Sequence, residues 1–191
     1  MTRGMTTPPT TKGLVHVERF GPGKTIARPR PGDFVLVRGD ALVSSIVCAF
    51  QTLRFRRPDE RCYAYWSHAA LVTSPRGRIV EVGPRGVVAQ RLEKYRPVEY
   101  HYVDVTAPDA RRLEAARFAE SCVGQRYGTL SFLALGFLAL VGWPFALPER
   151  GQHNCVALVA RALERATGER FARTPVNMMP ADLAQHFGII P

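Results

Sequence analysis

The chain lacks several features that would set its class early. Residues Met1 to Gly13 are polar and rich in Thr and Pro, with no apolar core of the kind a secretory signal carries. Among the four cysteines, Cys48, Cys62, Cys122 and Cys155, no C-x-x-C pair occurs, and no Cys/His cluster has zinc-ligand spacing. A structural zinc site is excluded on that spacing, and no metal or organic cofactor is implied. At 191 residues the chain is long enough to bury a core without disulfide staples, so the cysteines read as thiols. No internal repeat is visible.

Acidic residues are also scarce. Asp+Glu number 16 against 26 for Lys+Arg, a formal net charge of +10. This balance suits anionic partners: nucleic acid, phospholipid head groups or cell-wall polymers. It does not choose among them, and an Arg-rich composition also arises without such a partner. No nucleic-acid recognition motif accompanies the charge. Aromatic and basic residues interleave only in spots such as Leu53-Arg54-Phe55-Arg56-Arg57.

What is present reads as one domain of mixed α and β structure behind a basic arm. Residues 1–30, rich in Thr, Pro, Gly and basic side chains, read as a flexible arm with a short strand at Leu14 to Val17. The domain spans 31–191. It opens on a turn at Pro31-Gly32-Asp33, followed by the apolar strand Phe34 to Val37. Residues 41–53 carry Leu42, Ile46, Val47, Phe50 and Leu53 at helical spacing. Ser67 to Thr73 and Arg78 to Val82 read as a hairpin around Ser74-Pro75-Arg76-Gly77, and Val98 to Val105 as a further strand. A helix is expected from Thr106, as cap, to about Val123, with Gly124 ending it. Leu130 to Leu147 is uncharged and strongly apolar, close to the roughly 17–25 residues of a membrane span. Gly136, Gly142 and Pro144 interrupt it, which favours a buried helix over a membrane-surface segment. Cys155 to Ala166 repeats apolar residues with helical period, Asn154 is its expected N-cap and Gly168 its stop. A last short helix is expected from Pro180 to about Phe187.

Chemistry centres on Cys155. A cysteine at the first turn of a helix meets free backbone N–H groups and the positive end of the helix dipole. Both favour thiolate over thiol, and the same N–H groups suit a tetrahedral oxyanion. An ordinary core cysteine would also fit there. A thiolate nucleophile needs an imidazole partner. His68 opens the apolar strand Trp66-Ser67-His68-Ala69-Ala70-Leu71-Val72, where small neighbours leave room beside its ring. His16, His101, His153 and His186 are less well placed; His101, in an alternating strand, is expected to face solvent. An orienting carboxylate comes from hairpin register. If Ser74 to Gly77 is a four-residue loop, Glu81 faces Ala70 and becomes a diagonal neighbour of His68. A register shift of one residue would send it to the other face.

The ordered series Pro31-Gly32-Asp33-Phe34, Trp66-Ser67-His68-Ala69, Ile79-Val80-Glu81-Val82, Gly124-Gln125-Arg126-Tyr127 and Asn154-Cys155-Val156-Ala157 resembles the circularly permuted NlpC-like branch of the papain superfamily. That branch includes YiiX-like bacterial proteins and is related to the lecithin:retinol acyltransferase group. The resemblance covers roughly Pro31 to Gly168. It implies an α+β, papain-like fold with a small antiparallel, barrel-like sheet against the cysteine helix. It implies Cys155 as nucleophile, His68 as base and Glu81 as third polar residue, with Tyr127, Asn154 and Ser67 as substrate or oxyanion contacts. Family members commonly carry Ser after the cysteine, where this chain has Val156.

Three function classes follow as expectations. The first is a cysteine hydrolase of amide bonds in peptidoglycan peptides, with a lipid-directed acyl hydrolase or acyltransferase of the same fold as the alternative. The second is a non-catalytic binding or structural module that keeps the pocket. The third is a nucleic-acid or membrane-surface binder acting through basic charge. Synthesis in the cytoplasm is expected, with a cell-wall or phage-associated site of action compatible with the first class, and membrane proximity through 130–147 compatible with its lipid variant.

Overall fold

The computed structural model describes residues 15–40, 42–83, 86–125 and 155–191. The architecture is α+β. Six strands, β1 (Val15–Phe20), β2 (Phe34–Arg38), β3 (His68–Val72), β4 (Arg78–Gly83), β5 (Gly86–Arg91) and β6 (Glu99–Val105), form one antiparallel sheet in the order β1-β6-β2-β3-β4-β5. Four α-helices occur among the described residues: α1 (Leu42–Arg54), α2 (Asp109–Ser121), α3 (Cys155–Thr167) and α4 (Pro180–Phe187). The expected barrel-like closure is corrected: the sheet is open, because among the described residues β1 pairs only with β6 and β5 only with β4.

Side-chain alternation divides the sheet into two faces. Phe34, Leu36, Ala69, Leu71, Val80, Val82, Val103 and Val105 face the helical layer and join α3 and α4 in one core. Val35, Val37, Ala70, Val72, Ile79, Tyr100 and Tyr102 point the other way, where Phe20, Ile26, Leu92 and Tyr95 cover them. With both faces buried, the central strands β2 and β3 read as continuous apolar runs rather than alternating ones. Helix α3 is buried on nearly every side, from Cys155 through Ala166, because it lies against β3 and β4 with α2 beside it. Leu158, Val159 and Leu163 are fully buried there, each worth about 1.5–3 kcal/mol of transfer from water.

The Pro31-Gly32-Asp33 turn is more than a domain start. Gly32 holds φ +88°, and a β-carbon on it would come within 2.9 Å of Arg112 Cβ. That close approach lets the fully buried Asp33 accept hydrogen bonds from Arg112 Nη2 at 2.5 Å, from the Val105 amide at 2.9 Å and from the Tyr102 hydroxyl. One carboxylate thus ties β2 to β6 and α2, next to the end of β3, where Val72 N–H donates to the Asp33 carbonyl at 2.7 Å.

Two further expectations are corrected. Residues 15–20 are not part of a flexible arm: β1 pairs along its length with β6, from Val15↔Val105 to Phe20↔Tyr100, so the folded domain reaches back at least to Val15. Helix α2 starts at Asp109 behind Pro108, without a side-chain cap, rather than under Thr106. Proline there has no N–H to leave unsatisfied and its φ is preset for helix entry. Leu130 to Leu147 lies outside the described residues; among the described residues no helix is long and apolar enough to cross a membrane.

Candidate active site

Cys155 is the first residue of α3 and is 6% exposed. His68 is the first residue of β3, its side chain 24% exposed. The thiol and the imidazole are near enough for each to stabilise the charged form of the other. The helix therefore delivers its positive end, and the strand its ring, to one point at the start of the central strand β3.

Glu81 completes a chain. The β3–β4 register pairs Leu71↔Val80 and Val72↔Ile79, which continues to place Glu81 opposite Ala70, on the same face as His68. The four-residue loop behind this register holds: Thr73 N–H donates to Arg78 O at 2.8 Å, and Gly77 takes φ +72°. His68 Nε2 lies 2.7 Å from Glu81 Oε2. With Nε2 committed to the carboxylate, the nitrogen left for the thiol is Nδ1.

The carboxylate is itself held by two residues that the sequence reading missed. The Tyr95 hydroxyl donates to Glu81 Oε2 at 2.5 Å, and Lys94 Nζ pairs with Oε1. Both come from a short 3-10 turn, Leu92–Tyr95, directly after β5. Strand register cannot reach them, since register arguments end where the strand ends. The one available signal was a Lys-Tyr pair close behind a strand that neighbours the acid.

The electrostatics follow from this geometry. Burial works against the Cys155 thiolate, but the neighbouring His68 imidazolium, its hydrogen bond and the amide N–H groups of Ala69 and Val156 outweigh it and hold the thiol below its ordinary value. Burial likewise opposes charge on His68, yet the Cys155 thiolate and Glu81 carry the imidazole up to about 9. Burial of Glu81 would raise its carboxyl, but hydrogen bonds from His68, Lys94 and Tyr95 bring it down to about 2. Tyr95 is pushed well above its ordinary value, by burial first and by the Glu81 charge second, so it stays a hydrogen-bond donor. The shifts run together: the thiol is pushed towards thiolate and the ring towards imidazolium, with an ionised carboxylate behind the ring.

The other thiols differ. Burial raises Cys48, which Arg38 and the Tyr65 carbonyl contact, and burial raises Cys122. Cys62 is only partly buried.

Of the remaining expected contacts, Ser67 has its hydroxyl engaged by backbone. Its hydroxyl donates to Val37 O at 3.2 Å and accepts from the Gly39 amide at 3.0 Å, which fixes β2 beside β3. Tyr127 and Asn154 lie outside the described residues. His101 is corrected: it is 1% exposed and packs on Trp66 with ring centroids 4.4 Å apart. Burial, assisted by Arg19, lowers it to about 4, so it is a neutral core ring. Among the described residues no group of three His, Cys, Asp or Glu side chains could hold a metal.

No protein-family model matches the chain, and no curated protein matches it.

Proposed function

We propose that this protein is a cysteine hydrolase of amide bonds, acting on peptidoglycan peptides through an acyl-enzyme on Cys155, on a circularly permuted papain-like fold. The observation that carries this reading is the unbroken chain Cys155–His68–Glu81, with Lys94 and Tyr95 fixing its far end. Such a chain costs burial of charge that a merely structural cysteine would not need. Support for the amide of a cell-wall peptide comes from the resemblance to NlpC-like enzymes and from the +10 charge, which suits an anionic polymer.

The chemistry follows from the protonation states. Cys155 Sγ, already deprotonated, attacks the carbonyl carbon and forms a tetrahedral adduct. Positive potential at the start of α3 favours its oxyanion. His68 then gives its Nδ1 proton to the leaving nitrogen; the C–N bond breaks and an amine departs. His68, now neutral, takes a proton from water, the hydroxide attacks the thioester, and the thiolate leaves with the imidazolium restored. Glu81 stays ionised and holds the ring through Nε2.

A lipid-directed reading is favoured by one observation: the uncharged stretch Leu130 to Leu147 lies shortly before the nucleophile in the chain. The test sets the two side by side. Purified muropeptides and acyl-phospholipids are incubated with wild type and with Cys155→Ala, products are read by liquid chromatography and mass spectrometry, and acid-quenched protein is weighed for an acyl adduct. A new amine and a muropeptide-derived adduct in wild type alone support the proposal. An adduct from lipid alone moves the substrate to the acyl-lipid class. Turnover by Cys155→Ala, or no adduct from either, contradicts the thiol mechanism and favours a binding module.

A further inference from the structure

The β4–β5 edge of the sheet concentrates positive charge in a way the candidate active site does not use. Arg78 and Arg91 face each other directly across the two strands. Like charges in that position destabilise a sheet. Arg76, in the β3–β4 turn, and Lys94, after β5, join them around one open cleft of about 460 Å³, with Ser74 and Gln90 on its walls.

Carboxylates answer only half of this charge. Glu120 takes Arg78 in a forked pair, Nε–Oε1 at 2.8 Å and Nη2–Oε2 at 3.2 Å. Glu81 takes Lys94. The guanidinium groups of Arg76 and Arg91 have no ion-pair partner among the described residues, and both residues are exposed. Ser74 Oγ accepts the Arg76 amide at 3.0 Å, which leaves its own proton free to donate. Two unmatched guanidinium groups and a free hydroxyl donor on one concave wall suit a dianion with several acceptor oxygens.

We propose that this cleft binds a phosphate group. The guanidinium fork matches phosphate oxygens in pairs, and a phosphate monoester carries about two negative charges, which meets the two unmatched cations. The cleft is larger than one phosphate and falls in the range of ordinary ligand sites, about 300–1,000 Å³, so a larger ligand body fits beside the anion. The site lies towards the β3–β4 turn, at the end of β3 away from His68; the strand separates them by roughly 15 Å at about 3.3 Å per residue. The two unmatched guanidinium groups therefore lie apart from the position where Cys155 would meet a carbonyl. Lys94 alone touches both, through Glu81.

The group can come from a free phosphorylated ligand or from a lipid head group, and the experiment separates these. Full-length protein in the Cys155→Ala background is titrated with inorganic pyrophosphate by calorimetry and co-sedimented with phosphatidylcholine vesicles containing phosphatidic acid. The background removes the nucleophile, so the result stands or falls independently of the thiol chemistry. Arg76→Ala/Arg91→Ala is the test variant, with Arg76→Lys/Arg91→Lys as its charge-retaining partner and circular dichroism as the check of fold. Saturable binding of pyrophosphate, weakened at least tenfold by the alanine pair and less by the lysine pair, is expected. Vesicle binding with the same sensitivity, without pyrophosphate binding, assigns the phosphate to a head group. No binding of either probe, or binding that the folded alanine variant retains in full, overturns the proposal.

Discussion

Replacing Glu81 by Gln tests the electrostatic account of the site most sharply. The carboxylate accepts from His68 Nε2 at 2.7 Å and from Tyr95 at 2.5 Å, and pairs with Lys94, while its side chain is only 4% exposed. An amide keeps the shape but loses the charge. Its oxygen still takes the His68 proton, whereas its NH2 group faces Lys94, donor against donor. Lys94 is 41% exposed and swings into solvent. The loss on the imidazolium is that of a hydrogen bond to a charged group, about 1.5–3 kcal/mol. At about 1.36 kcal/mol per pH unit, that is roughly one to two units. His68 should therefore fall from about 9 towards neutrality, and the imidazolium that sustains the Cys155 thiolate weakens with it.

The assay is the rate of Cys155 carboxamidomethylation by iodoacetamide from pH 5 to pH 10, read by peptide mass in a Cys62→Ser background. That background removes Cys62, the one partly exposed thiol of the four. Wild type should already be reactive below the ordinary thiol range, because an imidazolium held up to about 9 sustains the thiolate there. Glu81→Gln should slow labelling near pH 6 by roughly tenfold, with the two rates converging at alkaline pH, where the thiol ionises without the imidazolium. A Glu81→Gln profile that overlays wild type would refute the claim that this carboxylate supports the pair.

Other outcomes follow from the same contacts. Arg112→Met strands the fully buried Asp33 carboxylate and should cost about 3–5 kcal/mol, with Asp33→Asn on the same background recovering part of it; urea midpoints measure both. Leu158→Ala empties space inside the core around α3 and should cost about 2–5 kcal/mol, a fall in Tm of roughly 5–15 °C by scanning calorimetry. Acid stability should respond to Glu81: its folded value of about 2 lies below the ordinary 4.5, so its contribution is present above 4.5 and is lost as pH falls through 2. That contribution is about 3 kcal/mol, and Glu81→Gln should lose correspondingly less stability than wild type between pH 6 and pH 2 in urea titrations.

Much of this was legible where a short-range rule determined the outcome. The Ser74 to Gly77 loop set the hairpin register, and the register alone put Glu81 on the His68 face. Helix α3 and its closing Gly168, φ +75°, followed from apolar period and turn chemistry. Harder to read were features decided by distant contacts. The strand expected at Leu14 to Val17 runs from Val15 to Phe20, and its place in the domain rather than in an arm is decided by pairing with β6. His101 sits in an alternating segment whose polar positions were read as outward, yet both faces of β6 are covered and the ring lies under Trp66. Ser67 adjoins the candidate base in sequence, but strand alternation and the Val37 and Gly39 backbone turn it away. Lys94 and Tyr95 reach Glu81 from a 3-10 turn, for which no periodic rule assigns a direction. Sheet closure is a global property, which local strand patterns do not encode.

The central claim is an activated Cys155–His68 pair. Intact-mass labelling with substoichiometric iodoacetamide at pH 6.5, followed by peptide mapping, tests it directly on wild type and on His68→Ala. The account predicts that Cys155 reacts ahead of Cys48, Cys62 and Cys122 in wild type, and that His68→Ala slows Cys155 at least tenfold while leaving Cys62 unchanged. Equal labelling of Cys155 and Cys62 in wild type, or a Cys155 rate indifferent to His68→Ala, would contradict it.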